Sequence, residues 1–152
     1  MKKITPFLWF DTQAEEAMNF YVSLFKNSKV HHISRGPDRN AFIVSFELDG
    51  QEFMGLNAGP QFKFNEAVSM YVDCEDQAEV DYFWNNLTAN GGEESMCGWC
   101  KDKFGLWWQI VPKQLGQLMG DPDPEKANRV TQAMLKMQKI VVADLQKAYD
   151  GQ

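Results

Sequence analysis

A few residues of this chain have the types and spacing to do chemistry. Cys97-Gly98-Trp99-Cys100 is a C-x-x-C, the spacing of thiol redox motifs and of half a zinc site. Redox use needs the first thiol at a helix N-terminus, where the dipole lowers its pKa. The surroundings read instead as a hairpin, with Gly91-Gly92 before and a turn after. Zinc needs a second pair, and only Cys74 remains. The pattern reads as two ordinary thiols, of which Cys97 is a candidate pocket thiol. The two histidines, His31 and His32, are adjacent. Strand neighbours point to opposite faces, so both are not expected in one site. Glu47 is a candidate general base on a strand, with a solvated glutamate as the plain alternative. The catalytic residues thus stay unassigned, with Glu47 and Cys97 as candidates. No G-x-G-x-x-G follows a strand, so neither a dinucleotide cofactor nor a phosphate loop is expected.

The elements that must position these residues come as a repeat. Phe10-Asp11 closes an apolar run and leads into a helix carrying Gln13-Ala14-Glu15; Val72-Asp73 does the same before Gln77-Ala78-Glu79. Ile4 to Phe10 reads as a strand. Thr12 to Glu15 has the form of a capping box, opening a helix with Ala14, Ala17, Met18, Tyr21, Leu24 and Phe25 on one face. Val30 to Ser34 is a short strand. Phe42, Val44, Phe46 and Leu48 alternate with Ile43, Ser45 and Glu47, and Asp49-Gly50 predicts a hairpin to a strand at Phe53 to Asn57. Ala58 to Asn65 is a linker. The second copy has a strand at Val68 to Val72, a helix with Val80, Phe83, Trp84 and Leu87, a stop at Asn90-Gly91-Gly92, a strand pair within Glu94 to Lys101, and a strand at Leu106 to Val111. Asp121-Pro122-Asp123-Pro124 starts a long helix with a stripe of Val130, Ala133, Met134, Met137, Ile140 and Val141, packed on the domain or on a second subunit. The fold class is α+β: two βαβββ modules forming a cup-shaped mixed sheet, with a helical tail. One domain is expected over 1–152, with modules at about 3–58 and 65–112 and a tail over 113–152.

The bulk numbers exclude whole classes. A chain of 152 residues buries roughly 68–70% of its unfolded surface, so no staple is required. Hydrophobic residues at 44% and charged residues at 24% are globular values. A net charge of −6 argues against nucleic acid. The N-terminal apolar run is too short to cross a membrane. Three cysteines, an odd number, fit a reducing, cytoplasmic setting. Aromatics reach 13%, with five Trp and eleven Phe, more than a core needs, and rings also line small-molecule pockets.

Thr5-Pro6-Phe7-Leu8-Trp9-Phe10-Asp11, Glu16-Ala17, Phe20-Tyr21, Gly59 to Asn65, Cys97-Gly98-Trp99, Lys101 to Gly105 and Trp108-Gln109 resemble the PhnB-like family. It is also labelled 3-demethylubiquinone-9 3-methyltransferase domain, within the vicinal oxygen chelate (glyoxalase/bleomycin resistance) superfamily. The resemblance spans about residues 3 to 145. It implies a cup whose metal positions, in glyoxalase-type members, fall here on Thr5, Gly55 or Asn57, Ala67 or Ser69, and Gln109. None is a strong ligand, so no metal and no cofactor are expected. The label implies a methyltransferase, yet no S-adenosylmethionine-binding motif is present; whether the chain is an enzyme stays open. The expected ligand pocket is Phe7, Trp9, Asn57, Phe62, Phe64, Ser69, Tyr71, Cys97, Trp107 and Gln109, with Gly59 to Phe64 as a flap. The expected function is small-molecule binding by a homodimer, without nucleic acid or membrane partners. The alternative is an enzyme on a small organic substrate, of isomerase, lyase or methyltransferase type.

Overall fold

The computed structural model describes residues 2–152; Met1 lies outside them. The chain divides into two compact units, Met1–Phe64 and Asn65–Gln152.

In the first unit, β1 (Phe7–Phe10), α1 (Ala14–Leu24), β2 (Lys29–Arg35), β3 (Ala41–Leu48) and β4 (Gln51–Asn57) follow in chain order. They build a four-stranded sheet ordered β1-β4-β3-β2, with β1 parallel to β4 and the other pairs antiparallel. The helix buries Ala14, Ala17, Met18, Tyr21 and Leu24. On the sheet, Leu8, Phe10, Val44, Phe46, Leu48 and Phe53 are buried with them. Full burial of each large apolar side chain contributes about 1.5–3 kcal/mol. Asp49 and Gly50 have φ of 48° and 82°, the two left-handed residues of a type I′ hairpin turn. Gly55 sits on this covered face: a Cβ there would meet the Phe10 ring at 3.3 Å and the Leu8 carbonyl at 3.4 Å.

Two local expectations change. The Thr12–Glu15 capping box does not form. Helix α1 starts at Ala14, whose amide donates to Asn57 Oδ1 at 2.8 Å, and Glu15 pairs with Arg35. A cap from a neighbouring strand displaces the local one. In β2 the register slips, with Val30 opposite Phe46 and His32 opposite Ser45. His31 is the extra residue of a β-bulge, which re-aims side chains.

The second unit repeats the order with β5 (Met70–Cys74), α2 (Gln77–Thr88), β6 (Glu93–Glu94), β7 (Trp99–Lys101) and β8 (Trp107–Pro112), in a sheet ordered β5-β8-β7-β6. Asp76 caps α2 by accepting from the Glu79 amide. The helix buries Val80, Phe83, Trp84 and Leu87, on the side of Cys100, Trp108 and Ile110. Asp102, 1% exposed, closes the turn before β8. Its Oδ1 accepts from the amides of Phe104 and Leu106 at 2.9 and 3.0 Å, and its Oδ2 from the Trp108 indole at 2.9 Å.

The tail is not one long helix. It forms α3 (Lys113–Met119), α4 (Pro124–Met134) and α5 (Val142–Tyr149). The stripe breaks after Met134 because the next segment pairs its backbone elsewhere. The Met137 and Gln138 carbonyls accept from the amides of Cys97 and Gly98, while Gln77 donates to the Ile140 carbonyl and accepts from the Val142 amide. Val130 and Ile140 are still buried, with Val111, Leu115 and Leu145. The tail packs on its own unit.

Candidate functional site

Each sheet has one face under its helix and one away from it, here called the far face. Residues directly opposite in neighbouring strands share a face, so register assigns every candidate. In the first sheet, Phe7 is opposite Met54 and Trp9 opposite Leu56, and these continue to Ser45 and Ile43. This strip is apolar, and Phe7 is 50% exposed. The Trp9 indole donates to the Gly59 carbonyl at 2.9 Å, and Phe62 meets the Trp9 ring edge-on at 4.9 Å. Gly59 holds the turn at φ 93°. Asn57 was expected on this face and is not there. It is opposite Phe10, where it caps α1 and donates to the Ala41 carbonyl. Phe64 likewise packs against Phe10, at 5.4 Å, not beside Trp9. The slip in parity arose because β4 pairs Met54, not Phe53, with Phe7.

Beside the strip lies a charged end. Glu47 is opposite both Glu52 and Lys29, and His31 Nε2 stands 3.4 Å from Glu47 Oε1. His32, opposite Ser45, shares that face. The expectation that adjacent histidines diverge fails, because the bulge inserts a residue between their pairings. The Glu52 carboxyl is held below its ordinary value, chiefly by the Lys2 backbone amide, with the charge of His31 among the smaller causes. The Thr5 hydroxyl is buried without a hydrogen-bond partner.

In the second sheet, Gln109 is opposite both Tyr71 and Trp99, and Trp107 is opposite Lys101. Ser69, just before β5, joins them: Gln109 Nε2 donates to Ser69 Oγ at 2.9 Å. This leaves the Gln109 carbonyl oxygen as an acceptor and the Ser69 hydroxyl as a donor. Tyr71 is 60% exposed. Lys101 Nζ lies 5.9 Å from the Trp107 ring centre and 3.2 Å from Glu93. Ser69, Tyr71, Trp107 and Gln109 thus share a face. Trp99 and Lys101 were missed, although β7 and β8 parity could have found them. Cys97 lies in the turn before β7 at φ 59°, its amide held by the tail.

All three thiols are free. Burial pushes the Cys74 and Cys100 thiols up to about 12, so the second thiol of the C-x-x-C is inert at neutral pH. A superfamily-type metal does not fit the expected positions. Gly55 and Asn57 lie on the helix side, the far-face β4 residues are Met54 and Leu56, and Gln109 is a neutral amide bonded to Ser69. Among the described residues, no group of three His, Cys, Asp or Glu side chains is arranged to hold a metal ion. None of their helices is long and apolar enough to cross a membrane.

Two βαβββ modules followed by helices define an α+β protein of the glyoxalase/bleomycin resistance fold. Residues 2–111 match the family model described as 3-demethylubiquinone-9 3-methyltransferase, and the chain belongs to that family. A solved structure described as a putative 3-demethylubiquinone-9 3-methyltransferase, PhnB protein, from Bacillus cereus is 37% identical, with a TM-score of 0.68 over 73% of this chain and 99% of that one. Protein PA1353 from Pseudomonas aeruginosa shares the fold at 17% identity and a TM-score of 0.60, over 74% of this chain and 98% of its own. So does FosX from Listeria monocytogenes, a fosfomycin resistance protein solved with Mn(II) and sulfate, at 15% identity and a TM-score of 0.50, over 71% of this chain and 90% of its own. No curated protein matches. The family match ends at residue 111, so α3, α4 and α5 lie outside it.

Proposed function

We propose that this chain is a small-molecule-binding protein that holds its ligand on the far face of its second sheet, by rings and neutral hydrogen-bonding groups in place of a divalent metal. The observation that carries this is the far face of the second sheet. Tyr71, Trp99 and Trp107 surround Gln109, whose amide is oriented by Ser69. Apolar walls with a few fixed polar groups are the usual make-up of a ligand site. A flat molecule with one acceptor and one donor matches the free Ser69 hydroxyl and Gln109 carbonyl. On the first sheet, Phe7, Trp9 and Phe62 offer a second aromatic surface, with Gly59 to Phe64 as its flap.

The chain acts in a reducing, cytoplasmic setting as a homodimer, a reading supported by its free thiols and by exposed Ile4 and Val68. The methyltransferase named by the family is the second reading. It rests on the 37% identical Bacillus cereus protein that carries that name. Against it, the chain carries no glycine-rich loop between a strand and a helix.

Native mass spectrometry of the purified protein tests both readings. A noncovalent organic adduct, weakened by Gln109→Ala and Trp107→Ala, is expected. Stoichiometric zinc, nickel, iron or manganese would sink the metal-free reading. Binding and turnover of S-adenosylmethionine would replace it with the second.

A further inference from the structure

The bulge in β2 gathers acid–base groups that nothing in the ligand reading uses. It brings His31 and His32 to the same face as Glu47 and Glu52. A regular strand would have sent one histidine to the helix side. Bulges recur where a strand must re-aim a side chain near an active site. His31 Nε2 is 3.4 Å from Glu47 Oε1, and the two side chains are 36% and 21% exposed. The cluster borders the apolar strip of Phe7, Met54, Trp9 and Leu56, with Phe62 against Trp9. A polar reactive end thus abuts an aromatic platform.

We propose that His31 and Glu47 form a proton-transfer pair on the far face of the first sheet, acting on a small carbon acid with an aromatic body. The proposal rests on the small-molecule reading above and gives the aromatic surface of the first sheet a reaction. Glu47 is a positioning residue: its carboxylate faces the Nε2 edge of the ring at 3.4 Å, and the Nδ1 lone pair is the base. The substrate's C–H proton goes to Nδ1, the bonding electrons stay with the substrate as an enolate or leave with a broken neighbouring bond, and the imidazolium returns the proton to water. No oxidant, metal or second reactant takes part. The charged and titratable groups facing His31 are Glu47 from β3, Glu52 from β4, Lys29 and His32 from β2, and Lys2, whose amide binds Glu52.

A nitrobenzisoxazole is the probe, because its ring opens when a base takes one carbon-bound proton. The ring N–O bond breaks, a nitrile forms, and a coloured nitrophenolate appears. Saturable turnover above that of free imidazole is expected. His31→Gln should lower kcat about 100-fold, the usual reach of a placed base. Glu47→Gln should lower kcat with KM for the probe unchanged, and Glu47→Asp should restore part of it, a split that a merely structural role would not give. Wild-type kcat in a folded His31→Gln variant overturns the proposal, as does wild-type kcat in Glu47→Gln, or loss of turnover with His32→Gln alone. Binding of the unreactive parent ring is read separately by tryptophan quenching. Binding without turnover overturns the pair and leaves the ligand reading standing; neither binding nor turnover overturns both.

Discussion

Asp102 is a buried side chain whose contribution can be worked from geometry. It is 1% exposed and accepts three hydrogen bonds, from the Phe104 and Leu106 amides and the Trp108 indole. Hydrogen bonds to a charged group contribute about 1.5–3 kcal/mol each, and an orphaned buried donor costs about 1–3 kcal/mol. Asp102→Asn keeps an oxygen for the two amides but turns an NH2 toward the Trp108 N–H, donor against donor. The expected loss is about 3 kcal/mol, a Tm fall of roughly 6–12 °C for a chain of this size. Asp102→Ala orphans all three donors and should lose about 5 kcal/mol, in the range reserved for broken buried networks. Urea unfolding followed by circular dichroism measures both, and a cycle with Trp108→Phe isolates the indole bond at about 2 kcal/mol of coupling. An Asp102→Asn protein within 1 kcal/mol of wild type (about one neutral hydrogen bond) would refute the reasoning. Because the turn feeds β8, the same variant should also loosen the Ser69–Gln109 bond, read as weaker ligand binding.

Asn57→Ala removes the cap from α1 and should lose about 1–2 kcal/mol, while Asn57→Asp keeps an acceptor for Ala14 but turns an oxygen toward the Ala41 carbonyl and should recover only part of it by the same denaturant assay. Thiol labelling at neutral pH should modify half-exposed Cys97 first, with Cys74 and Cys100, both raised to about 12, protected until unfolding; simultaneous labelling of Cys97 and Cys100 in the native protein contradicts this. The Glu15 carboxyl lies below its ordinary 4.5, chiefly through its hydrogen bond from Arg35. A lowered folded-state pKa stabilises above 4.5 and loses that contribution as pH falls through the folded value, so the acid limb of a pH–stability curve should flatten in Arg35→Met, by a small amount because the pair is exposed.

Much of the frame was legible in the chain. The doubled pattern at Phe10-Asp11 and Val72-Asp73, the Asp49-Gly50 turn and the alternation of Val44, Phe46 and Leu48 are local signals, each with a physical cause within a few residues. The far-face placement of Phe7, Trp9, Ser69, Tyr71, Trp107 and Gln109 followed from strand parity. Parity failed where it had to be carried between strands. Asn57 fell on the other side because β4 sits one residue from the assumed register, and Phe64, expected in the flap, packs against Phe10. The tail stripe failed for a related reason: the Met137, Gln138 and Ile140 carbonyls accept bonds from Cys97, Gly98 and Gln77 and so leave the helical period.

Within the two modules, the amino-acid order by itself determined which segments form strands and helices and which side chains each presents to its own core, since those depend on spacing along one stretch of chain. Only the tertiary structure decided which strands meet at which residue, that Asn57 rather than Thr12 caps α1, and that a bulge turns His31 toward Glu47. Hydrogen bonds between distant segments set those outcomes, and a one-residue slip in pairing reverses the face of every side chain beyond it.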